Sequence, residues 1–344
     1  MADGAPRHGL EIELRPLRPE TSPARLAREA GAEVVVVDSI VASRVRAVAL
    51  DVPVIASVHQ RPGGLVGSVP ARLARAVLDV RCYRGADAVV VPSTYLASLL
   101  RRTGVVPSRI DVVEPGSDLP LGPPRARRAE ASCRIVAVAN LSAHKRPLEL
   151  LDAFATMGDL DASLTLIGGA ADADVAVSVE RRLAARDLAG RASWVGSLPA
   201  EAIAADLAAS DVVVSPALGE SYGMAVVEAL RLGVPAVVSR SGNLPNVVRD
   251  GIDGFVVPAR DMGAFSAAMR RLVIDARLRA SMAQSAALGA GRFPTWDATA
   301  ERFAAVLERV RSRSRAPTLR PALASAGLRT RGGGFRYARG RSAA

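Results

Sequence analysis

Glu220 and Glu228 stand eight positions apart in the segment SPALGESYGMAVVEALRLGVPAVVS. A valine-rich run, Asp211 to Ser215, reads as a strand that enters a short loop. The loop carries Glu220 and Gly223, and an alanine-rich helix follows with Glu228 one to two turns inside it. The backbone N–H groups of Gly223, Met224 and Ala225 open that helix. A helix start is an anion site, because its first N–H groups have no intrahelical acceptor and the positive end of the helix dipole lies there. One acid before this site and one after it would meet different parts of a larger anionic ligand. A diphosphate joined to a sugar on one side and a ribose on the other suits that layout.

Lys145 is the second chemical signal. It is the only lysine among 45 basic residues, so one compact ammonium stands in a chain otherwise committed to planar guanidinium forks. It lies in ANLSAHKRPLELL, within the loop Asn140–Arg146 that follows a strand ending near Ala139. His144 beside it is expected to face solvent.

These residues need a frame, and the rest of the chain supplies one. Strand-like runs alternate with amphipathic helices, the pattern of a parallel sheet. The first half reads as strands at Glu33–Ser39, Val52–His59, Ala88–Pro92 and Ile110–Val113, with helices near Pro23–Ala30, Val69–Tyr83 and Tyr95–Arg102. The second half reads as strands at Arg134–Ala139, Ser163–Ile167, Ala192–Val195, Asp211–Ser215, Ala236–Val238 and Phe255–Val257, closed by helices from Met262 to about Val310. Leu121 to Ser132, rich in Pro and Arg, reads as the linker. The expected fold is α/β, with two Rossmann-like domains facing across a cleft. The expected division is residues 1–120, a linker at 121–132, a second domain at 133–310 and a basic tail at 311–344. Open α/β sheets bind ligands at the carboxyl ends of their strands, where both Lys145 and Glu220 fall.

Composition narrows the classes. A chain of 344 residues has room for two cores. Cys82 and Cys133 are the only cysteines, so neither a disulfide framework nor a cysteine metal site is available. The start, MADGAPRHGLEIEL, has no apolar signal core, and no run of about 20 apolar residues could span a bilayer. A cytoplasmic location is expected, with peripheral contact to the inner membrane face left open. The net charge of +11 comes mostly from Arg311 to Arg341, a stretch without an acid. It reads as a solvated, disordered tail, and nucleic-acid binding is not expected from the near-neutral body. Asp172 and Asp174 form an Asp-x-Asp, but their place just past a strand suits a helix cap better than a metal. No metal and no cofactor are expected.

The block GESYGMAVVEALRLGVPAVVS, followed by SGNLPNVVRDGIDGFVVP, resembles the donor half of family-4 retaining glycosyltransferases with the GT-B fold. The resemblance runs from Ser132 to Val310. It implies a nucleotide diphosphate sugar as donor substrate, with Glu220 on the donor sugar, Glu228 on the ribose hydroxyls and Lys145 on the diphosphate. Asn140 stands where the family carries an arginine. Weaker carry-overs are Gly168 and Gly169 after the second strand, and Val195 near the base. In the first half PVIASVHQRPGG, RCYRGADAVVVPSTYLASLL and IDVVEPGSD resemble the family in pieces. They imply a place for His59 near the reaction centre, so His59, Glu220 and Lys145 are the candidate catalytic residues. The family's opening strand and glycine-rich loop have no match, so the N-terminal domain is expected to be incomplete, with an exposed sheet edge. The leading expectation is retaining transfer of a sugar to an unknown acceptor: a glycan, lipid or small molecule. The alternatives are a nucleotide-sugar-binding protein without activity of its own, and a sugar-nucleotide epimerase, for which no clear pair of acid/base carboxylates is seen in the first half.

Overall fold

Short valine runs that are apolar on both faces require helices above and below them, and this requirement sets the layering of both halves. The computed structural model describes residues 13, 22–45, 47, 50–64, 67–119 and 132–315. Linker residues 121–131 and the tail beyond 315 lie outside the described residues, as does almost all of 1–21.

In the first half, strands β1 (Val35–Asp38), β2 (Val54–Ser57), β3 (Ala88–Val91) and β4 (Ile110–Val112) form a parallel sheet in that order. Helix α1 (Pro23–Glu29) precedes β1, α2 (Val69–Gly85) connects β2 to β3 and α3 (Thr94–Arg102) leads from β3 toward β4, each started by a serine side chain that caps its first turn. Among the described residues β1 is an edge strand, and Val36 on it is 42% exposed.

The second half carries β5 (Cys133–Val138), β6 (Ala162–Ile167), β7 (Ala192–Trp194), β8 (Val212–Ser215), β9 (Ala236–Ser239) and β10 (Gly254–Val257). Their spatial order is β10-β9-β8-β5-β6-β7, with every pairing parallel. Its helices are α4 (Pro147–Ala155), α5 (Ala173–Leu183), α6 (Ala200–Ala209), α7 (Met224–Arg231), α8 (Leu244–Val247), α9 (Met262–Ile274) and α10 (Ala276–Leu288). Phe154, Met157, Leu164 and Phe265 fill one side of the sheet, and Leu207, Val226, Leu230 and Leu244 the other. The chain runs outward one way from β5 to β7, returns, and runs outward the other way from β8 to β10. The loops after β5 and β8 therefore leave adjacent strands in opposite directions. A crevice opens between such loops, and they are the loops that hold Lys145 and Glu220.

The last helix corrects the expected division. Helix α11 (Trp296–Arg315) does not stay with the second half. Phe303, Val306 and Val310 pack on Ile55, Ala88, Val90 and Val113 of the first sheet. Arg309 pairs with Asp111, and Arg311 lies 3.3 Å from Glu33. Position 311 is thus inside a helix rather than at the start of a tail, and α11 completes the first half. Two crossings connect the halves side by side. Ser117 N–H donates to Pro294 O at 3.0 Å, Trp296 N–H to Asp118 at 3.1 Å, and the Thr299 hydroxyl to Glu114 O at 2.8 Å. Gly116 makes this possible, since a Cβ there would collide with the Thr295–Trp296 backbone.

One buried acid staples the far end of the second sheet. Asp253 is fully buried and accepts from Arg249 Nε at 2.7 Å, Arg292 Nη2 at 2.8 Å and the Arg249 backbone N–H at 2.8 Å. Removing the acid strands two guanidinium groups. Asp253→Ala is expected to lower unfolding stability by roughly 3 kcal/mol, measured as the shift of a urea denaturation midpoint.

Candidate functional site

The loop after β8 is built by backbone. Gly219 and Gly223 take φ values of 108° and 102°, which other residues rarely adopt. Gly223 is the N-cap of α7, and no side chain caps that helix start. The first N–H groups of α7 therefore face outward, with the positive helix end behind them. The loop around Gly242 presses against Glu220 so closely that a Cβ at 242 would overlap the Glu220 backbone. Asn243 N–H donates to Glu220 O at 2.8 Å, and the Asn243 side-chain amide donates to Tyr222 O at 3.0 Å.

Lys145 ends a 3-10 turn, Ala143–Lys145, in the loop after β5. Arg146 then takes a left-handed conformation, φ 57°, and starts α4. The two loops meet twice. Leu218 N–H donates to His144 O at 2.8 Å, and Lys145 Nζ forms an ion pair with Glu220 Oε1. The two side chains are 22% and 20% exposed, so the pair is sheltered yet reachable from the cleft. His144 departs from expectation. It is half-buried and lines the cleft, with Nδ1 at 3.1 Å from Ser142 Oγ. Burial and then the Lys145 charge push its pKa down, while Glu220 pulls the other way.

His59 follows β2 at the facing wall. Its Nδ1 lies 3.3 Å from Ser39 Oγ and 3.5 Å from Asp38 Oδ2, both at the end of β1. With Nδ1 held by these oxygens, Nε2 is the nitrogen left for a ligand.

The candidate residues fall into three groups. His59, Lys145, Glu220, Gly223, Met224 and Ala225 line one cleft of about 430 Å³ between the halves. Glu220 is the carboxylate among the described residues lining it. Glu228 lies one turn along α7 from Met224 and Ala225, which puts it on the same helix face. Burial raises its pKa, and no cation pairs with it among the described residues. The third group sits farther along the same sheet edge. Asn140 Oδ1 accepts from Gly169 N–H at 2.9 Å, and Gly168, at φ 147°, leaves no room for a Cβ against Ala139. Val195 is 45% exposed at the end of β7. Asn140 shares a small recess with Lys145 and Ser215 beside the main cleft. Asp172 accepts from Asp174 and Val175 N–H at 3.1 and 3.3 Å, the cap its position suggested.

Sequence reasoning missed Asp38, Ser39, Ser93 and Asn243. Each acts through a polar contact with a residue distant in sequence, and none belongs to a spacing pattern. A serine just before a predicted helix was the one visible trace of Ser93.

The comparisons with known proteins agree with this fold. A family model described as "Glycosyltransferase Family 4" matches residues 4–120, and one described as "Glycosyl transferases group 1" matches residues 125–288. A D-inositol 3-phosphate glycosyltransferase of Corynebacterium kroppenstedtii is 29% identical over 260 residues, covering 70% of this chain and 57% of the relative. Its counterpart in Corynebacterium diphtheriae is 30% identical, covering 68% of this chain and 58% of the relative. The chain therefore spans less than three fifths of these two relatives' length. Sucrose-phosphate synthase from Thermosynechococcus elongatus superposes with a TM-score of 0.72 at 21% identity, covering 84% of this chain and 76% of that one. Anabaena HepE, solved in complex with UDP-glucose, superposes with a TM-score of 0.70 at 19% identity, covering 83% of this chain and 81% of that one. The GT-B structures share the two Rossmann-like halves, and the two family models between them take in both. The chain belongs to the family-4-like glycosyltransferases of the GT-B fold.

Proposed function

We propose that the chain transfers a sugar from a nucleotide diphosphate sugar to an acceptor hydroxyl, with retention at the anomeric carbon. The supporting observation is the single cleft in which Lys145, Glu220 and the uncapped start of α7 face His59 of the other half. In this reading the diphosphate lies between Lys145 and the N–H groups of Gly223, Met224 and Ala225. The bond from the anomeric carbon to the phosphate oxygen breaks, and negative charge grows on the departing diphosphate. Lys145 and the helix start stabilise that charge more than they stabilise the ground state. The acceptor oxygen attacks from the same face, and its proton passes to the leaving phosphate. No protein nucleophile is required. Glu220 holds sugar hydroxyls, Glu228 holds the ribose, and His59 borders the reacting carbon. Asn140, Gly168, Gly169 and Val195 border the nucleoside end.

A neighbour solved with UDP-glucose makes a UDP-sugar the first donor to test. Relatives named for D-inositol 3-phosphate make an anionic polyol the first acceptor to test. Epimerisation is less well supported, because acid/base chemistry on a sugar needs a carboxylate pair in the cleft and Glu220 stands there without a second among the described residues.

Lys145 must exchange Glu220 for the diphosphate when donor binds. Lys145→Ala removes the cation and leaves the Glu220 charge facing the ligand. UDP affinity is expected to fall roughly 10- to 100-fold, about 1.5–3 kcal/mol, in isothermal titration. Unchanged UDP affinity would remove Lys145 from the diphosphate site, and a wild-type chain that binds no nucleotide sugar would sink the donor reading.

Glu228 gives a prediction of opposite sign for stability. Its folded pKa is raised by burial, so its charged form is disfavoured in the fold. The associated stability is present below the unfolded carboxylate pKa of about 4.3 and is lost as pH rises through the folded value. Glu228→Gln removes that loss. The variant is expected to melt higher than wild type at pH 7, to show a smaller advantage at pH 4, and to bind UDP more weakly. Melting curves at both pH values, with UDP titrations, check this.

A further inference from the structure

Three consecutive carbonyl groups in the loop that carries Glu220 are each held by a hydrogen bond. Glu220 O and Tyr222 O accept from the backbone and side chain of Asn243, within the second half. The middle one, Ser221 O, accepts from Ser93 Oγ at 2.6 Å. Ser93 belongs to the first half, where it is the N-cap of α3, and it is 2% exposed. A serine hydroxyl has one proton and two lone pairs. The Leu96 N–H at 3.2 Å occupies a lone pair, so the single proton is committed to Ser221. One oxygen therefore starts a helix in one half and fixes a loop of the other. Beside it, Asn246 Nδ2 of α8 lies 3.5 Å from Thr94 Oγ1 of α3, a second polar contact between the two halves.

We propose that Ser93 is a positioning residue, a latch that registers the first half against the Glu220 loop. Ser93 is not among the residues lining the cleft. It acts through Ser221 on the side chain next in sequence, Glu220, and so sets where the second half's sugar-holding acid stands relative to His59. The geometry also says how the latch opens. If the halves part, water reaches Ser221 O and the Ser93 proton turns to solvent, while the Leu96 cap stays within the first half. Parting thus gives up the Ser93–Ser221 bond and the Asn246–Thr94 contact and leaves α3 intact. While the halves are together, losing the hydroxyl leaves a part-buried carbonyl without its donor, which favours the parted state. The kinetic side of this proposal rests on the donor-cleft reading, whereas the register of the halves can be measured without any ligand.

The test uses the full chain with Ser93→Gly, Ser93→Asp and Ser93→Thr. Glycine and aspartate both start helices well, so α3 is kept, yet neither carries the hydroxyl. Threonine keeps it. Small-angle scattering without ligand is expected to show a larger radius of gyration for Gly and Asp, with Thr matching wild type. UDP affinity by calorimetry is expected to stay within about threefold in all three, because the donor residues lie in the second half. UDP release from UDP-glucose is expected to fall about tenfold or more in Gly and Asp, with Thr restoring it. Scattering and turnover equal to wild type in both Gly and Asp would overturn the proposal. Parallel loss of UDP affinity and turnover, without rescue by Thr, would also overturn it by marking Ser93 as merely structural. If wild type binds no UDP, the donor reading fails, and the scattering comparison still decides the latch.

Discussion

The absence of a side chain at Gly242 is the constraint on which the site depends. It lets one loop press backbone to backbone against Glu220, and Asn243 can then reach two carbonyls of the same loop. The acid is thereby placed by main-chain contacts, which are stiffer than any rotamer preference of a glutamate. Lys145 arrives from the neighbouring strand because the sheet reverses its winding between β5 and β8. Gly223 then frees the start of α7. The acid, the cation and the helix start are separate in sequence, yet they converge because short parallel strands end at one edge.

The charges at this edge are kept at the expense of stability. Glu228 is half-buried, with no cation paired to it among the described residues, and burial disfavours its charged form. His144 is held toward neutrality beside Lys145 by burial and by that lysine's charge. Lys145 and Glu220 satisfy one another across the two loops. A fold selected for stability alone would have little reason to keep such groups together, since each is expensive to shelter from water. Asp253, by contrast, collects two arginines and a backbone N–H far from the cleft, where its charge holds the fold.

Much of this was legible before any coordinates. Valine runs such as Val212–Ser215 and Ala88–Val91 announce strands, because their apolar character on both faces has no other use in a short segment. The glutamate pair and the lone lysine are visible as residue types at loop positions. What stayed hidden depends on tertiary placement. The apolar face of α11 shows that it packs, and does not say on which sheet; it crosses back to Ile55 and Val90 of the first half. His144 looked like a surface residue because nothing local shows that Leu218 will close over its carbonyl. Ser93 reads as a helix cap, and its second bond is invisible without the other half. The glycines were easy to see and hard to interpret. Gly242 and Gly116 matter for what passes close to them, and that is a property of other segments.

The arginine bias gives the cleft a further property. Lys145 carries the only ε-amino group in the sequence. Any chemistry that needs a side-chain primary amine, whether an acylating reagent or a lysine-modifying enzyme, has a single address on this molecule. That address is partly sheltered and paired with Glu220. Its reactivity therefore reports the state of that ion pair, and the chain carries its own single-site chemical probe for occupancy of the cleft.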